Sequence, residues 1–128
     1  ILSNPPFYVD SLKAPDPSRT TARHNDTLSY DDLLAAVQRL LAPAGLFSVI
    51  YPAAQALEFQ QTARGYGLYL IRRTTVRARP GGLPRRALME FTSTEPETVL
   101  EDELTIETDR HVYTDPSLRL TRDFYLKF

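Results

Sequence analysis

The sequence predicts one α/β domain whose mixed sheet starts with parallel strands and ends in an antiparallel hairpin, with helices beside it. Its 128 residues, 42 % apolar and 24 % charged, suit a single globular domain spanning 1–128. A helical pattern separates the first two strand-like stretches, which implies a parallel pair. A Pro-Gly-Gly turn then joins two further strand-like stretches, which indicates the hairpin.

The first predicted strand is short. Residues 1–3 look like the end of a strand, because Asn4-Pro5-Pro6 follows and proline cannot donate to a sheet ladder. Residues 7–27 are polar and contain prolines, so we predict a surface loop there.

A helix and a strand follow the loop. Ser29 is a candidate N-cap with Asp32 in the first turn. The apolar stripe of this helix consists of Leu33, Leu34, Val37, Leu40 and Leu41. Residues 46–51 are short and nearly all apolar, as in a strand covered on both faces, and Pro52 ends them.

The second half of the chain is predicted to contain more strand than helix. In order, its elements are a helix over 53–64, strands over 68–78 and 86–92 joined by a turn at 80–82, a short strand over 104–106, and a last helix capped at Asp115-Pro116 and containing Phe124 and Tyr125.

The net charge of −1 conceals an asymmetry. Residues 1–89 carry eleven Lys or Arg and six Asp or Glu, whereas residues 90–128 carry four and ten. Six arginines fall within fifteen residues: Arg72, Arg73, Arg77, Arg79, Arg85 and Arg86. This pattern fits a basic face for an anionic partner, or two charged strands that attract each other as neighbours.

Several functional classes are excluded by composition. The absence of cysteine rules out a disulfide scaffold, a thiolate metal site and a cysteine nucleophile. The two histidines, His24 and His111, are far apart, so no metal site is predicted and His111 is given no role. No apolar run reaches about 18–20 residues and no signal peptide is visible, so we expect a soluble cytoplasmic domain.

The residues Asn4-Pro5-Pro6-Phe7, called here the NPPF turn, carry the most specific chemistry. The side-chain oxygen of Asn4 and the carbonyl of Pro5 can each accept a hydrogen from an exocyclic amino group of a base. Those two acceptors would orient the nitrogen lone pair for in-line attack, and Phe7 offers a stacking face worth about 1–3 kcal/mol. The alternative is a turn that only ends a strand.

Residues 1–7 resemble the (N/D)-P-P-(Y/F) motif of amino-group methyltransferases that use S-adenosylmethionine. The whole chain resembles the bacterial tRNA(Val) adenine-37 N6-methyltransferase family. The segments that carry this resemblance are Ala14-Pro15, Ala22-Arg23-His24, Leu28, Leu33-Leu34, residues 45–52, residues 83–88 and Asp123-Phe124-Tyr125-Leu126. The four-residue motif alone is shared with methyltransferases of DNA adenine, rRNA guanine and release-factor glutamine.

The resemblance implies the C-terminal half of a Rossmann-like class I methyltransferase, with strands four, five, seven and six side by side. It places Asn4, Pro5, Pro6 and Phe7 at catalytic positions. It implies tRNA contacts by a set of basic residues: Lys13, Arg19, Arg23, His24 and the six clustered arginines. His24 has an equal alternative as an ordinary loop residue.

The half of such an enzyme that binds the methyl donor is not evident in the sequence. A glycine-rich turn should follow a strand, but Gly65-Tyr66-Gly67, the sole G-x-G, follows a predicted helix. The family is longer and carries the motif near its middle, and this chain opens at Ile1 without Met. We therefore expect a fragment that is inactive alone and that associates through its open edge at Ile1–Ser3. The alternatives are a catalytically silent RNA-binding fragment and an amino methyltransferase that acts on rRNA, DNA or a protein glutamine.

Overall fold

The computed structural model describes residues 1–7 and 28–126. Most of the predicted loop, and with it Lys13, Arg19, Arg23 and His24, lies outside these residues. The helices are α1 (Tyr30–Leu40), α2 (Ala56–Gly65, entered through a 3₁₀ turn at Ala53–Gln55) and α3 (Asp115–Thr121). The strands are β1 (Leu2–Ser3), β2 (Phe47–Pro52), β3 (Tyr69–Arg77), β4 (Pro84–Thr92), β5 (Leu100–Thr105), β6 (Glu107–Asp109) and β7 (Val112–Tyr113).

The five-stranded sheet has the order β1-β2-β4-β3-β5. β1 is parallel to β2, β4 is antiparallel to both β2 and β3, and β5 is parallel to β3. The predicted parallel start and antiparallel hairpin are therefore confirmed, and the first four strands have the expected neighbours. β5 adds a fifth strand, which is longer and earlier than the predicted strand at 104–106, and the small β6–β7 pair was not predicted.

Helix α1 begins where its sequence indicates. The Ser29 hydroxyl accepts a hydrogen bond from the Asp32 amide at 3.0 Å, which satisfies one of the free amides of the first turn. Leu33, Leu34 and Val37 are buried against the sheet, but Leu40 is exposed and does not belong to the apolar stripe.

The main core lies between one face of the sheet and helices α1 and α2. Phe47, Val49 and Tyr51 point into it from β2, and Phe59 of α2 packs among them. The alternate residues Ser48 and Ile50 are only half-buried, so β2 is not covered on both faces as its apolar sequence predicted. We call the less covered side the open face.

The acidic segment of the chain pairs with arginines of β3. Three arginines of β3, called here the paired arginines, form ion pairs across to β5: Arg72 with Asp102 at 2.7 Å, Arg73 with Glu101, and Arg77 with Glu103 at 3.1 Å. Asp102 also accepts a hydrogen bond from Thr74. Attraction between neighbouring strands thus explains half of the arginine cluster, although each exposed pair stabilises the fold by only about 0–1 kcal/mol.

The last helix differs from its prediction at both ends. Its N-cap is Thr114, whose hydroxyl accepts from the Ser117 amide at 3.3 Å, so Asp115 and Pro116 are the first helical residues rather than the cap. The helix ends at Thr121, which leaves Phe124 and Tyr125 beyond it and exposed.

Candidate functional site

The NPPF turn stands at the edge of the sheet where the parallel strands β1 and β2 end, here called the carboxyl edge. Asn4 follows directly after β1, and β2 ends at Pro52. Because β4 runs the other way, its first residues lie at the same edge, and Arg86 is paired in register with Pro52. Ligands of open α/β sheets bind outside the carboxyl ends of parallel strands, so the turn is placed where such a site is expected.

The four residues of the NPPF turn have different environments. Asn4 is exposed and lines one end of a groove of about 550 Å³ that extends over the open face. Pro5 is buried, Pro6 is exposed and Phe7 is half-buried. The burial of Pro5 anchors the turn, while the amide of Asn4 stays accessible to a ligand.

Phe7 contacts two groups that the sequence did not connect with it. Its ring centroid lies 6.5 Å from that of Tyr51, the penultimate residue of β2. The guanidinium carbon of Arg86 lies over the Phe7 ring at 5.3 Å from the centroid. Both contacts depend on the register of β2 against β4, which the sequence does not show. The only sequence signal for Tyr51 was its position as an aromatic residue at a strand end.

Tyr51 is fully buried beneath the turn, and its hydroxyl has no hydrogen-bond partner among the described residues. Burial, and next the neighbouring Tyr30, raises the pKa of Tyr51 well above its usual value. The Tyr30 hydroxyl donates to Oε1 of Gln55 at 2.6 Å, and burial together with Glu58 raises the pKa of Tyr30 to about 12. Both phenols are thus held in the neutral form at neutral pH.

The raised pKa of Tyr30 makes stability depend on alkaline pH. The unfolded chain ionises this phenol near pH 10, whereas the folded chain keeps its proton up to about pH 12. The stabilisation is complete below pH 10 and is lost as pH rises from 10 to 12. We expect the urea midpoint to fall over this range, and to fall less in Tyr30→Phe. An equal fall in that variant would show that Tyr30 is not responsible.

The comparisons with known proteins agree with this geometry. No family model matches the chain. It is 46% identical over 127 residues, 99% of its length, to a Bacteroides fragilis protein named tRNA1(Val) (adenine(37)-N6)-methyltransferase. Proteins of the same name in Phocaeicola vulgatus and Trichodesmium erythraeum are 45% identical over 126 residues and 41% over 128. The chain is similar to proteins of this name along nearly its whole length.

The chain spans about half the length of the curated relatives it matches, 53% in each of these three. A solved structure described as a predicted O-methyltransferase from Agrobacterium tumefaciens superposes with a TM-score of 0.59 at 22% identity, covering 73% of this chain and 45% of that one. This likeness supports the fold alone, a mixed α/β sheet flanked by helices.

The arginines that the methyltransferase resemblance assigned to tRNA fall into two groups. Arg72 stands opposite Glu90 and Leu100 and lines the same groove as Asn4, and hydrogen bonding to Asp102 raises its pKa. The second group, called here the hairpin arginines, comprises Arg79, Arg85 and Arg86. They are exposed where the β3–β4 hairpin reaches the carboxyl edge. Arg86 of the second group lies over the Phe7 ring, and Arg79 and Arg85 lie in the same hairpin.

Proposed function

We propose that this chain forms the acceptor-binding part of an S-adenosylmethionine-dependent methyltransferase that methylates the exocyclic amino group of an adenine in tRNA. The observation that carries the proposal is the NPPF turn at the carboxyl edge, accessible at Asn4 and bordered by exposed arginines. The relationship along 99% of the chain to proteins named tRNA adenine methyltransferases supports the choice of substrate.

The chain's own residues would act on the amino nitrogen. Its lone pair is delocalised into the purine ring, which makes it a poor nucleophile. Two acceptors, Oδ1 of Asn4 and the carbonyl of Pro5, would each bind one amino hydrogen and favour the pyramidal nitrogen. With the base stacked on Phe7, the lone pair would point in one fixed direction, which removes much of the entropic barrier. The methylated, cationic amine can lose its proton to water, so no side-chain base is required.

The described residues do not fit the methyl donor itself. S-adenosylmethionine supplies an electrophilic methyl group bound to sulfur, and its nucleoside is usually gripped by a glycine-rich turn between a strand and a helix. Gly65 and Gly67 instead follow α2, at the opposite edge of the sheet from Asn4. We infer that residues outside this chain hold the donor, that residues 1–128 are a partial domain, and that the chain alone is inactive.

The test is methyl transfer by the complete protein that carries this chain, in the presence of S-adenosylmethionine with a labelled methyl group. An unmodified tRNA is the substrate, and its nucleosides are analysed by mass spectrometry after digestion. We expect the label only in N6-methyladenosine, and none when the target adenine is replaced by guanine. Label in DNA, rRNA or a release-factor glutamine instead would contradict the assignment to tRNA. Because tRNA is a cytoplasmic substrate, the proposal also places the protein in the cytoplasm.

Membrane insertion has no support in the described part of the chain, where no helix has the length and hydrophobicity that a crossing requires.

We also infer that this chain associates with a second copy through β1. This edge is apolar and open, with Leu2 86 % exposed, whereas the opposite edge strand β5 carries Glu101, Asp102 and Glu103. In sedimentation velocity the average sedimentation coefficient should rise with protein concentration, and Leu2→Lys should suppress the rise. A coefficient that does not change with concentration in the unmodified chain would contradict the inference.

A further inference from the structure

The clustered arginines differ in whether they have acidic partners. Each paired arginine of β3 reaches a carboxylate of β5. No carboxylate within residues 1–7 and 28–126 pairs with a hairpin arginine, and residues 77–89 contain four arginines and no acid. Within the arginine cluster, and among the described residues, only the hairpin arginines lack an acidic partner, and they lie at the same edge of the sheet as the NPPF turn.

The hairpin turn holds these arginines in a defined arrangement. The Gly82 amide donates to the Arg79 carbonyl at 3.1 Å, with Pro80 and Gly81 between them, and Gly81 has a φ of 69°. These are the features of a type II turn, in which the third position favours glycine. Arg77 braces it by donating to the Gly82 carbonyl at 2.6 Å and to Glu103 at 3.1 Å. Arg77 thus supports the turn, and the hairpin arginines are left to bind.

Arg86 covers the ring on which the target base would stack. Its guanidinium lies over Phe7 and also donates to the Arg85 carbonyl at 3.0 Å. An adenine and a guanidinium cannot occupy the same ring face. An exposed cation–π contact is weaker than stacking of a base on an aromatic ring, so an incoming adenine can displace the guanidinium. A target base leaves the RNA stack together with its flanking phosphates, which brings acceptors to the displaced group.

We propose that the hairpin arginines bind the RNA phosphates that flank the target adenine, and that Arg86 leaves the Phe7 ring to join them when the base arrives. The inference rests on the proposed function, since it takes an RNA with an extruded adenine as the partner. It assigns the paired arginines to the pairing of β3 with β5 and not to the phosphates that flank the target adenine. Arg86 then acts as a positioning residue that keeps the base site filled until a substrate arrives.

The first test measures the salt dependence of binding, using the complete protein that carries this chain and an RNA stem-loop with an unpaired adenine. The variant is Arg79→Ala, Arg85→Ala and Arg86→Ala combined. The matched control has the same charge change in the last turns of the three helices, Arg39→Ala, Arg64→Ala and Arg119→Ala. Each lost phosphate contact reduces the slope of log affinity against log salt by about 0.7–0.9.

We expect the hairpin variant to lose about 2 units of slope, and the control to keep the slope of the unmodified protein. An unchanged slope in the hairpin variant, or an equal loss in the control, would overturn the inference while leaving the proposed function standing. Failure of the unmodified protein to bind the RNA would overturn both. Circular dichroism checks that each variant is folded.

The second test concerns Arg86 alone. Affinity is measured for the stem-loop with its adenine and for the same RNA with an abasic site there. Arg86→Ala should lose about one unit of slope without lowering the preference for adenine, because the ring stays available. Phe7→Leu should lose the preference and keep the slope. If Arg86→Ala loses the preference for adenine as Phe7→Leu does, the guanidinium itself helps to bind the base. The proposal that adenine displaces Arg86 from the Phe7 ring would then be wrong.

Discussion

Replacing Asn4 with alanine is expected to lower the rate of methyl transfer by about 100-fold or more, with little change in the affinity for tRNA. The substitution removes one of the two acceptors that would bind the amino hydrogens, and loss of a preorganised hydrogen bond at a reacting centre costs about 10²–10³ in rate. Asn4 is exposed and packs little, so the fold should persist. Single-turnover kinetics of the complete protein, with separate tRNA titrations, measures both quantities.

The conservative variant Asn4→Asp is the control for this prediction. It keeps a side-chain oxygen at the same place, and the motif that the turn resembles accepts either residue, so a large part of the rate should be retained. Wild-type rates in Asn4→Ala would contradict the assignment of an acceptor role. A loss of tRNA binding that accounts for the whole rate change would make Asn4 a binding residue instead.

Replacing Phe59 with alanine is expected to lower the free energy of unfolding by about 3–5 kcal/mol, the usual cost of deleting a buried aromatic ring. Phe59 is fully buried and lies 4.5 Å from the ring of Tyr51, 5.2 Å from Tyr30 and 5.6 Å from Phe91, measured between centroids. Urea denaturation of the 128-residue chain measures the change.

The matched control is Leu57→Ala, in the same helix but with Leu57 61 % exposed. It should change stability by less than about 0.5 kcal/mol. A small effect of Phe59→Ala would mean that the aromatic cluster is loosely packed. Because Tyr51 connects this cluster to Phe7, the Phe59 variant should also weaken base binding at the NPPF turn.

Periodicity was sufficient to predict the elements that bury apolar side chains. The stripe of α1, the apolar β2 and the Pro-Gly-Gly turn between β3 and β4 are local signals, and the structure confirms them. β5 has the sequence Leu-Glu-Asp-Glu-Leu-Thr and shows no apolar alternation. It pairs in parallel with β3, and its carboxylates meet arginines of that strand, but neither contact is visible in a local pattern.

The candidate site was only partly predictable for the same reason. The NPPF turn is contiguous in sequence, so its chemistry and its resemblance to a known motif could be identified directly. Tyr51 and Arg86 lie beside Phe7 because of the register of β2 against β4, and no spacing in the sequence predicts that register. The charge pattern left two interpretations of the arginines open. Ion pairs with β5 show the second interpretation, attraction between neighbouring strands, for the paired arginines, while a role of any clustered arginine in binding tRNA stays a prediction.

The central claim is that the target adenine stacks on Phe7 beside Asn4, and photocrosslinking tests it most directly. A tRNA carrying 8-azidoadenine at the target position is bound to the complete protein and irradiated, and the crosslinked peptide is identified by mass spectrometry. The account predicts a dominant crosslink within Asn4–Phe7, weakened in Phe7→Leu. A crosslink that maps instead to the open face, at Leu88 or Leu104, would contradict it.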